Sequence, residues 1–113
     1  MLCVLVVDRE SDILGLFETI LISMGHSVNA QDSLSDMAGN LEYDLVIVDI
    51  EFFEQKHKSL LDSYTGSKLC ITSVWKESRL PPGINAEYDF FLQKPFKLKA
   101  LRKILDSVKA LSP

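Results

Sequence analysis

Short runs of branched apolar residues that each end at a polar side chain constrain this sequence more than any other feature. Residues 2–7 read LCVLVV and residues 45–48 read LVIV, and Asp8 and Asp49 follow them directly. Continuous apolar runs of this length are typical of strands that are covered on both faces, as in a parallel sheet. Weaker patterns predict three further strands, around residues 27–30, 69–71 and 90–92.

The segments between these strands predict helices. Apolar residues recur at steps of three and four in residues 11–24 and again in residues 97–111, which gives each helix one apolar face. Ser11 is expected to cap the first helix, and Gly25 to end it in the left-handed conformation that glycine favours. Weaker helical patterns lie at residues 33–40 and 55–65, and prolines at positions 81 and 82 limit any helix in residues 76–85 to about a turn or two.

The alternation of strands and helices defines the expected fold class. Such βαβ units have right-handed crossovers and place helices on both faces of a parallel sheet. We therefore expect one α/β domain over residues 1–113, a doubly wound, flavodoxin-like, three-layer α/β/α fold with a five-stranded sheet in the order 2-1-3-4-5. In that order the first and fourth strands are not neighbours, so Cys3 and Cys70 are expected to be buried thiols rather than a disulfide.

Composition favours a globular protein over a disordered or membrane protein. The chain has 113 residues, of which 47% are hydrophobic and 25% are charged. No apolar run approaches the roughly 20 residues that span a bilayer, and the first run lacks the basic residues that precede the core of a secretory signal. A cytoplasmic location is therefore expected.

Charge is distributed unevenly between the two halves of the chain. Residues 1–55 contain eleven acidic residues and one basic residue, whereas residues 56–113 contain five acidic and eleven basic residues. This asymmetry is compatible with an acidic site and a separate basic surface for a partner, or with ordinary solvation of both halves. The same two readings apply to a basic set on the last predicted helix: Lys97, Lys99, Arg102, Lys103 and Lys109.

Polar residues at the ends of the predicted strands indicate a functional site. In open parallel sheets, sites form at the carboxyl ends of the strands, where the strand order reverses. The residues expected at this edge are Asp8, Glu10, Asp49, Glu51, Thr72, Ser73 and Lys94. Taken singly, Asp8 is also compatible with a helix cap and Asp49 and Thr72 with ordinary strand ends, although the strand-end context favours a site for both acids. Phe91 is equally compatible with a core position. The agreement of four strand ends favours a site.

Four segments in this order resemble the receiver domains of bacterial two-component response regulators. They are VLVVD at 4–8, DLVIVD at 44–49, KLCITS at 68–73 and FFLQKPF at 90–96, so the resemblance covers nearly the whole chain. It implies a CheY-like fold and a signalling domain that a histidine kinase phosphorylates and that then switches a partner or output surface. It implies no enzyme beyond self-phosphorylation from a donor and autodephosphorylation.

The resemblance assigns roles residue by residue. Asp49 matches the phosphoacceptor, Thr72 the hydroxyl that bonds the phosphoryl oxygen, and Lys94 the lysine that pairs with the phosphate. Phe91 matches the switch aromatic, and Pro95 the proline that often follows a cis bond. These roles agree with the chemistry, since transfer of an anionic phosphoryl group to a carboxylate requires cations around the equatorial oxygens.

The resemblance also implies a Mg²⁺ site that this sequence alters. Its ligands would be Asp8, Asp49 and the main-chain carbonyl of Glu51, but Arg9 stands where the family normally has a second acid. A guanidinium cannot ligate a metal, so Mg²⁺ binding is expected to be weakened or lost, with Glu10, one residue later, as a further candidate ligand. The segment IEFFEQKH at 50–57 also replaces the usual landmarks after the phosphoacceptor, and the spacing from Asp49 to Thr72 is short for the family.

These departures leave two other functions open. Arg9 motivates a degenerate receiver that works as a metal-independent interaction module, in which the arginine pairs with Asp8 or Asp49. The pattern Asp8-x-Glu10 is faintly similar to haloacid-dehalogenase-type phosphatases, although no later acidic pair supplies their metal.

The resemblance implies particular partners as well. The expected partner is a histidine kinase or a phosphotransfer protein, and a homodimer through the fourth helix, fifth strand and fifth helix is a further expectation. Direct contact with nucleic acid or with a membrane is not expected.

Overall fold

The structure of the protein is a computed structural model that describes residues 1–32, 43–50, 68–80 and 88–111. These residues form a parallel sheet in the order β2-β1-β3-β4-β5, as the sequence predicts. The strands are β1 (Cys3–Val7), β2 (Ser27–Gln31), β3 (Leu45–Asp49), β4 (Lys68–Ser73) and β5 (Phe90–Gln93). Two helices pack with this sheet, α1 (Ser11–Ser23) and α2 (Leu98–Leu111).

The central strands are buried because both of their faces are apolar. Leu5, Val6, Val46 and Ile47 are among the most buried side chains of the sheet. β4 and β5 extend beyond the predicted apolar runs, to Ser73 and Gln93, because these polar residues still pair their backbones in the parallel register.

Helix α1 begins and ends where backbone groups find partners. Glu10 is its N-cap residue, and the amides of Ile13 and Leu14 both donate to the Glu10 carbonyl at 3.1 Å. The expectation that Ser11 caps this helix is therefore wrong, since Ser11 is already its first helical residue. At the other end Gly25 has φ of +86°, the left-handed conformation that the sequence predicts for it.

Helices α1 and α2 cover the same face of the sheet. Phe17 and Leu21 from α1 and Leu101 and Leu105 from α2 share one buried core. The rings of Phe17 and Phe96 stack with centroids 4.6 Å apart, which joins α1 to the segment that leads into α2. Full burial of a side chain of the size of Phe17 contributes about 1.5–3 kcal/mol, and the half-buried Phe96 extends this core to the segment before α2.

The opposite face of the sheet has a second core. It contains Leu5, Val7, Val46 and Val48, with Tyr43 and Leu69 packed against them. The helices predicted at residues 33–40 and 55–65 lie outside the described residues. In the segment 76–85, a 3₁₀ turn occupies Glu77–Arg79, and residues 81–87 lie outside the description.

Two further expectations concern cysteines and membranes. Cys3 and Cys70 are both free thiols, and β3 lies between the strands that carry them. Cys70 is buried as expected, but Cys3 is only half-buried. Burial raises the pKa of the Cys70 thiol far above its usual value, so it stays protonated. Among the described residues, no helix is long and apolar enough to cross a membrane.

Candidate functional site

Four strand ends bring polar side chains to the carboxyl edge of the sheet. Asp8 follows β1 directly, Asp49 is the last residue of β3, and Thr72 lies near the end of β4. Lys94 follows β5 directly. Asp49 and Thr72 are register partners in neighbouring strands, so their side chains arise side by side. The sequence therefore brings these four residues together as predicted, because parallel strands end at a common edge.

The Lys94 ammonium lies between two carboxylates. Its Nζ is 2.6 Å from Oδ2 of Asp8 and 2.5 Å from Oδ2 of Asp49. The exposed fractions of the side chains are 7% for Lys94, 3% for Asp8 and 14% for Asp49. Asp49 is therefore the carboxylate of this pair that a reactant can reach, whereas Asp8 lies beneath it. Charge-assisted hydrogen bonds of this length are among the strongest that side chains make.

Backbone hydrogen bonds hold the three charged residues in place. Oδ1 of Asp8 accepts a bond of 2.9 Å from the Glu10 amide. The Asp8 amide donates to the Gln31 carbonyl at 3.1 Å, and the Lys94 amide donates to the Ser73 carbonyl at 2.7 Å. The peptide bond between Lys94 and Pro95 is cis. Asp8 and Lys94 are thus anchored by a neighbouring strand end as well as by their side-chain contacts, and Asp49 is held in the β3–β4 register opposite Thr72.

The environment keeps Lys94 charged. Burial by itself would lower the pKa of this ammonium, but the hydrogen bonds and negative charges of Asp49 and Asp8 outweigh burial and raise the pKa above its usual 10.5. Lys94 is therefore a permanent cation at neutral pH. It neutralises one of the two carboxylate charges that meet at this edge.

The hydroxyl residues lie beside this charged group. Thr72 and Ser73 are buried, and Oγ1 of Thr72 donates a long hydrogen bond of 3.4 Å to the Val48 carbonyl. A bond of that length is weak, so the hydroxyl is free to exchange it for a stronger acceptor. Phe91 is half-buried, and its ring lies 6.3 Å from that of Tyr88 at 48°.

The other predicted site residues differ from this group in burial. The side chains of Arg9 and Glu10 are exposed, and Glu10 contributes to the site through its backbone amide. Glu51 lies outside the described residues. Sequence reasoning assigned Lys94 to an incoming phosphate and missed that it contacts both acids in the absence of one. The available signal was a basic residue at the end of β5 in a sheet where two other strands, β1 and β3, lead to acids at the same edge.

The donor set can be compared with the needs of Mg²⁺. This ion takes about six oxygen ligands, several of them waters, so a few carboxylates can hold it. However, the described residues contain no group of three or more acidic, histidine or cysteine side chains that could hold a metal. Oδ2 of Asp8 and of Asp49 both contact the Lys94 ammonium, which occupies the position of a bridging cation. Within the described residues, Asp8 and Asp49 therefore do not fit a metal ion unless it displaces the Lys94 ammonium.

Comparison with known proteins identifies the fold. No protein-family model matches the sequence, and no curated protein sequence matches it. Among solved structures, a CheY-like response regulator receiver domain from Methylobacillus flagellatus superposes with a TM-score of 0.80 at 21% identity, covering 96% of this chain and 98% of that one. Chemotaxis protein CheY4 of Vibrio cholerae superposes with a TM-score of 0.78 at 21% identity, covering 96% of this chain and 98% of that one.

Further structures show the same likeness. A response regulator from Thermotoga maritima superposes with a TM-score of 0.77 at 21% identity, covering 96% of this chain and 97% of that one. The likeness extends over nearly the whole of each domain, and the strand order agrees with it. The chain therefore has the CheY-like fold of response regulator receiver domains.

Proposed function

We propose that this protein is a receiver domain that accepts a phosphoryl group on Asp49. The observation that supports this most directly is the contact between the Asp49 carboxylate and the Lys94 ammonium at 2.5 Å, with 14% of the Asp49 side chain exposed. A carboxylate that is reachable and already beside a fixed cation suits the transfer of an anionic group. The proposed donor is a phosphohistidine on a kinase or phosphotransfer protein, and the proposed location is the cytoplasm, where such donors act.

The proposed reaction uses the residues of this edge in distinct roles. An Asp49 carboxylate oxygen attacks phosphorus, the P–N bond to the histidine breaks, and the histidine ring leaves with the electron pair. Lys94 stabilises the negative charge on the transferred group, and the Thr72 hydroxyl donates to one of its oxygens. Asp8 acts as a positioning residue, because its buried carboxylate holds the ammonium beside Asp49.

The domain is proposed to signal rather than to turn over a substrate. The acyl phosphate would hydrolyse back to the carboxylate, which resets the domain. The added charge would lie against Lys94 and Thr72 and alter the packing around them, including that of Phe91, the proposed switch aromatic. A turnover assay on a generic phosphate ester is expected to give no activity, which separates this proposal from a phosphatase.

The test is phosphorylation by acetyl phosphate, measured by the intact mass of the protein with and without Mg²⁺. We expect wild type to gain one phosphoryl group, Asp49→Asn to gain none, and Asp12→Asn, which alters an exposed acid of α1, to react like wild type. Thr72→Ala and Lys94→Gln should slow or abolish the gain. A wild-type protein that stays unmodified under both conditions would contradict the proposal.

A second candidate function follows from the same lysine. Because Lys94 already contacts both carboxylates and neutralises one of their two charges, and because Arg9 replaces a ligand acid, the domain is also suited to act as a metal-independent interaction module. This candidate predicts no phosphoryl gain in wild type and a fold that is unchanged by Asp49→Asn. The mass experiment thus decides between the two candidates.

A further inference from the structure

The segment after β4 presents two large apolar side chains to solvent. Val74 is 66% exposed and Trp75, the only tryptophan of the chain, is 58% exposed. Single exposed apolar residues are common on protein surfaces, but adjacent ones that include a tryptophan are less so. Both follow Ser73 directly and therefore lie at the carboxyl edge of the sheet, beside the Lys94 site.

Hydrogen bonds hold this segment in one conformation. The Trp75 amide donates to Oγ of Ser73 at 2.9 Å, and a weaker bond of 3.5 Å runs from Nε2 of Gln93 to the Val74 carbonyl. The Arg79 amide then donates to the carbonyl of residue 76 at 2.9 Å, and the side chain of Leu80 is buried. The exposed side chains are thus displayed by a backbone that is already ordered, which lowers the entropic cost of binding.

Within the described segment 74–80, two of the three charged side chains are cations. Lys76 and Arg79 are exposed cations, and the one acid between them, Glu77, accepts a hydrogen bond from the Tyr88 hydroxyl. Burial, this hydrogen bond and the charge of Glu77 raise the pKa of Tyr88 to about 12, so the donor stays protonated at neutral pH. The exposed cations Lys76 and Arg79 can therefore pair with an acidic partner beside an apolar surface.

We propose that Val74, Trp75, Lys76 and Arg79, together called the Trp75 surface, bind a protein segment that presents an aliphatic or aromatic side chain next to acidic residues. Tryptophan and arginine are the residue types that most often dominate binding energy at protein interfaces. The apolar pair supplies the buried anchor, and the two cations select partners by charge. This surface stands independently of phosphorylation, since it is formed without a modified Asp49.

The test selects displayed random peptides against the unphosphorylated wild-type chain. We expect enriched peptides to combine apolar and acidic residues, and their synthetic forms to shift the fluorescence of Trp75 on binding. Failure to enrich any peptide, or enrichment of basic peptides, would overturn the proposal. Self-association that Trp75→Ala abolishes, with no peptide binding, would also overturn it, because the occupant would then be a second copy.

Matched variants identify the side chains that contribute to peptide binding, with affinities measured by calorimetry. Trp75→Ala should weaken an enriched peptide by about 30-fold or more, the loss typical of a dominant aromatic anchor. Ile22→Ala, which removes a similarly exposed side chain from α1, should leave affinity unchanged. Lys76→Glu and Arg79→Glu should each weaken binding by at least roughly two- to fivefold, whereas Lys103→Glu on α2 should not. Binding that survives Trp75→Ala would refute the assignment.

Because the selection uses unmodified protein, its outcome is separate from the phosphorylation test. Asp49→Asn should bind the enriched peptides as wild type does. A chain that fails to accept phosphate but binds acidic peptides through Trp75 would contradict the first proposed function and support the Trp75 surface.

Discussion

Replacing Lys94 by methionine should destabilise the fold strongly. Methionine keeps an apolar stem of similar length but removes the ammonium that contacts Asp8 and Asp49 at 2.6 and 2.5 Å. The variant therefore leaves two carboxylates facing each other, and one of them, Asp8, has only 3% of its side chain exposed. A buried charge without its partner is among the most damaging outcomes of a single substitution.

The size of the effect follows from the two contacts. At an effective dielectric constant of about 20, each contact corresponds to an attraction of about 6 kcal/mol. Removing the lysine also removes the cost of burying its ammonium, and water entering the pocket screens the two acids. The net loss expected for breaking a buried pair is therefore about 3–5 kcal/mol. This is a large part of the roughly 5–15 kcal/mol that stabilises a typical domain.

The assay is urea denaturation followed by far-ultraviolet circular dichroism. Lys103→Met, which removes an exposed ammonium from α2, is the matched control and should change the free energy of unfolding by less than about 0.5 kcal/mol. Asp8→Asn added to Lys94→Met should restore part of the loss, because the variant then buries one charge fewer. If Lys94→Met alone does not fold, the free energy of unfolding of the double variant can still be compared with that of wild type.

Two results would refute this reasoning. A loss below about 1 kcal/mol for Lys94→Met would show that the ammonium is not needed to balance the acids. A double variant no more stable than Lys94→Met would show that the unpaired Asp8 is not the source of the loss.

The same variants test whether lysine and metal compete. In Lys94→Met no ammonium lies on the two Oδ2 atoms, so Mg²⁺ should raise the variant's free energy of unfolding by binding to the native state. The gain should be smaller in wild type, where the ammonium lies on both Oδ2 atoms. An equal gain in the two proteins would contradict competition.

The remaining predictions concern pH. Burial, followed by the positive charges of Lys109 and the chain's amino terminus, lowers the pKa of His26, so the unfolded chain binds its proton more tightly. The free energy of unfolding should therefore fall as pH drops below 6.5, the usual pKa of histidine. In His26→Asn the amide oxygen can replace Nδ1 as the acceptor of the Leu2 amide. Denaturation above and below pH 6.5 should then show a smaller fall in the free energy of unfolding for this variant. An identical fall would contradict this role. Tyr88, with its pKa raised to about 12, should ionise later than an ordinary tyrosine in an ultraviolet titration, and Glu77→Gln should bring its ionisation to lower pH; an unchanged curve would exclude Glu77 as a cause.

Much of the fold could be predicted because it depends on local patterns. The apolar runs ending at Val7 and Val48 are long enough for strands and too short for helices, and their continuity indicates burial on both faces. The right-handedness of βαβ crossovers then places the connecting helices, and the strand order is the one expected for the doubly wound fold that these elements fit. Element ends were less predictable. Ser11 is a favourable cap residue by type, yet the chain turns one residue earlier, so that Glu10 supplies the capping carbonyl.

The sequence by itself determined that Asp8, Asp49, Thr72 and Lys94 reach one edge of the sheet, because each follows or ends a parallel strand. Only the tertiary structure decided which cation lies between the acids. Arg9 is adjacent to Asp8 in the chain, yet it is exposed. Lys94 is buried against Asp8 and Asp49, which lie 86 and 45 positions before it in the chain. Chain neighbours do not reveal such a pairing, since it depends on distances across the sheet and on which charges the packing removes from water.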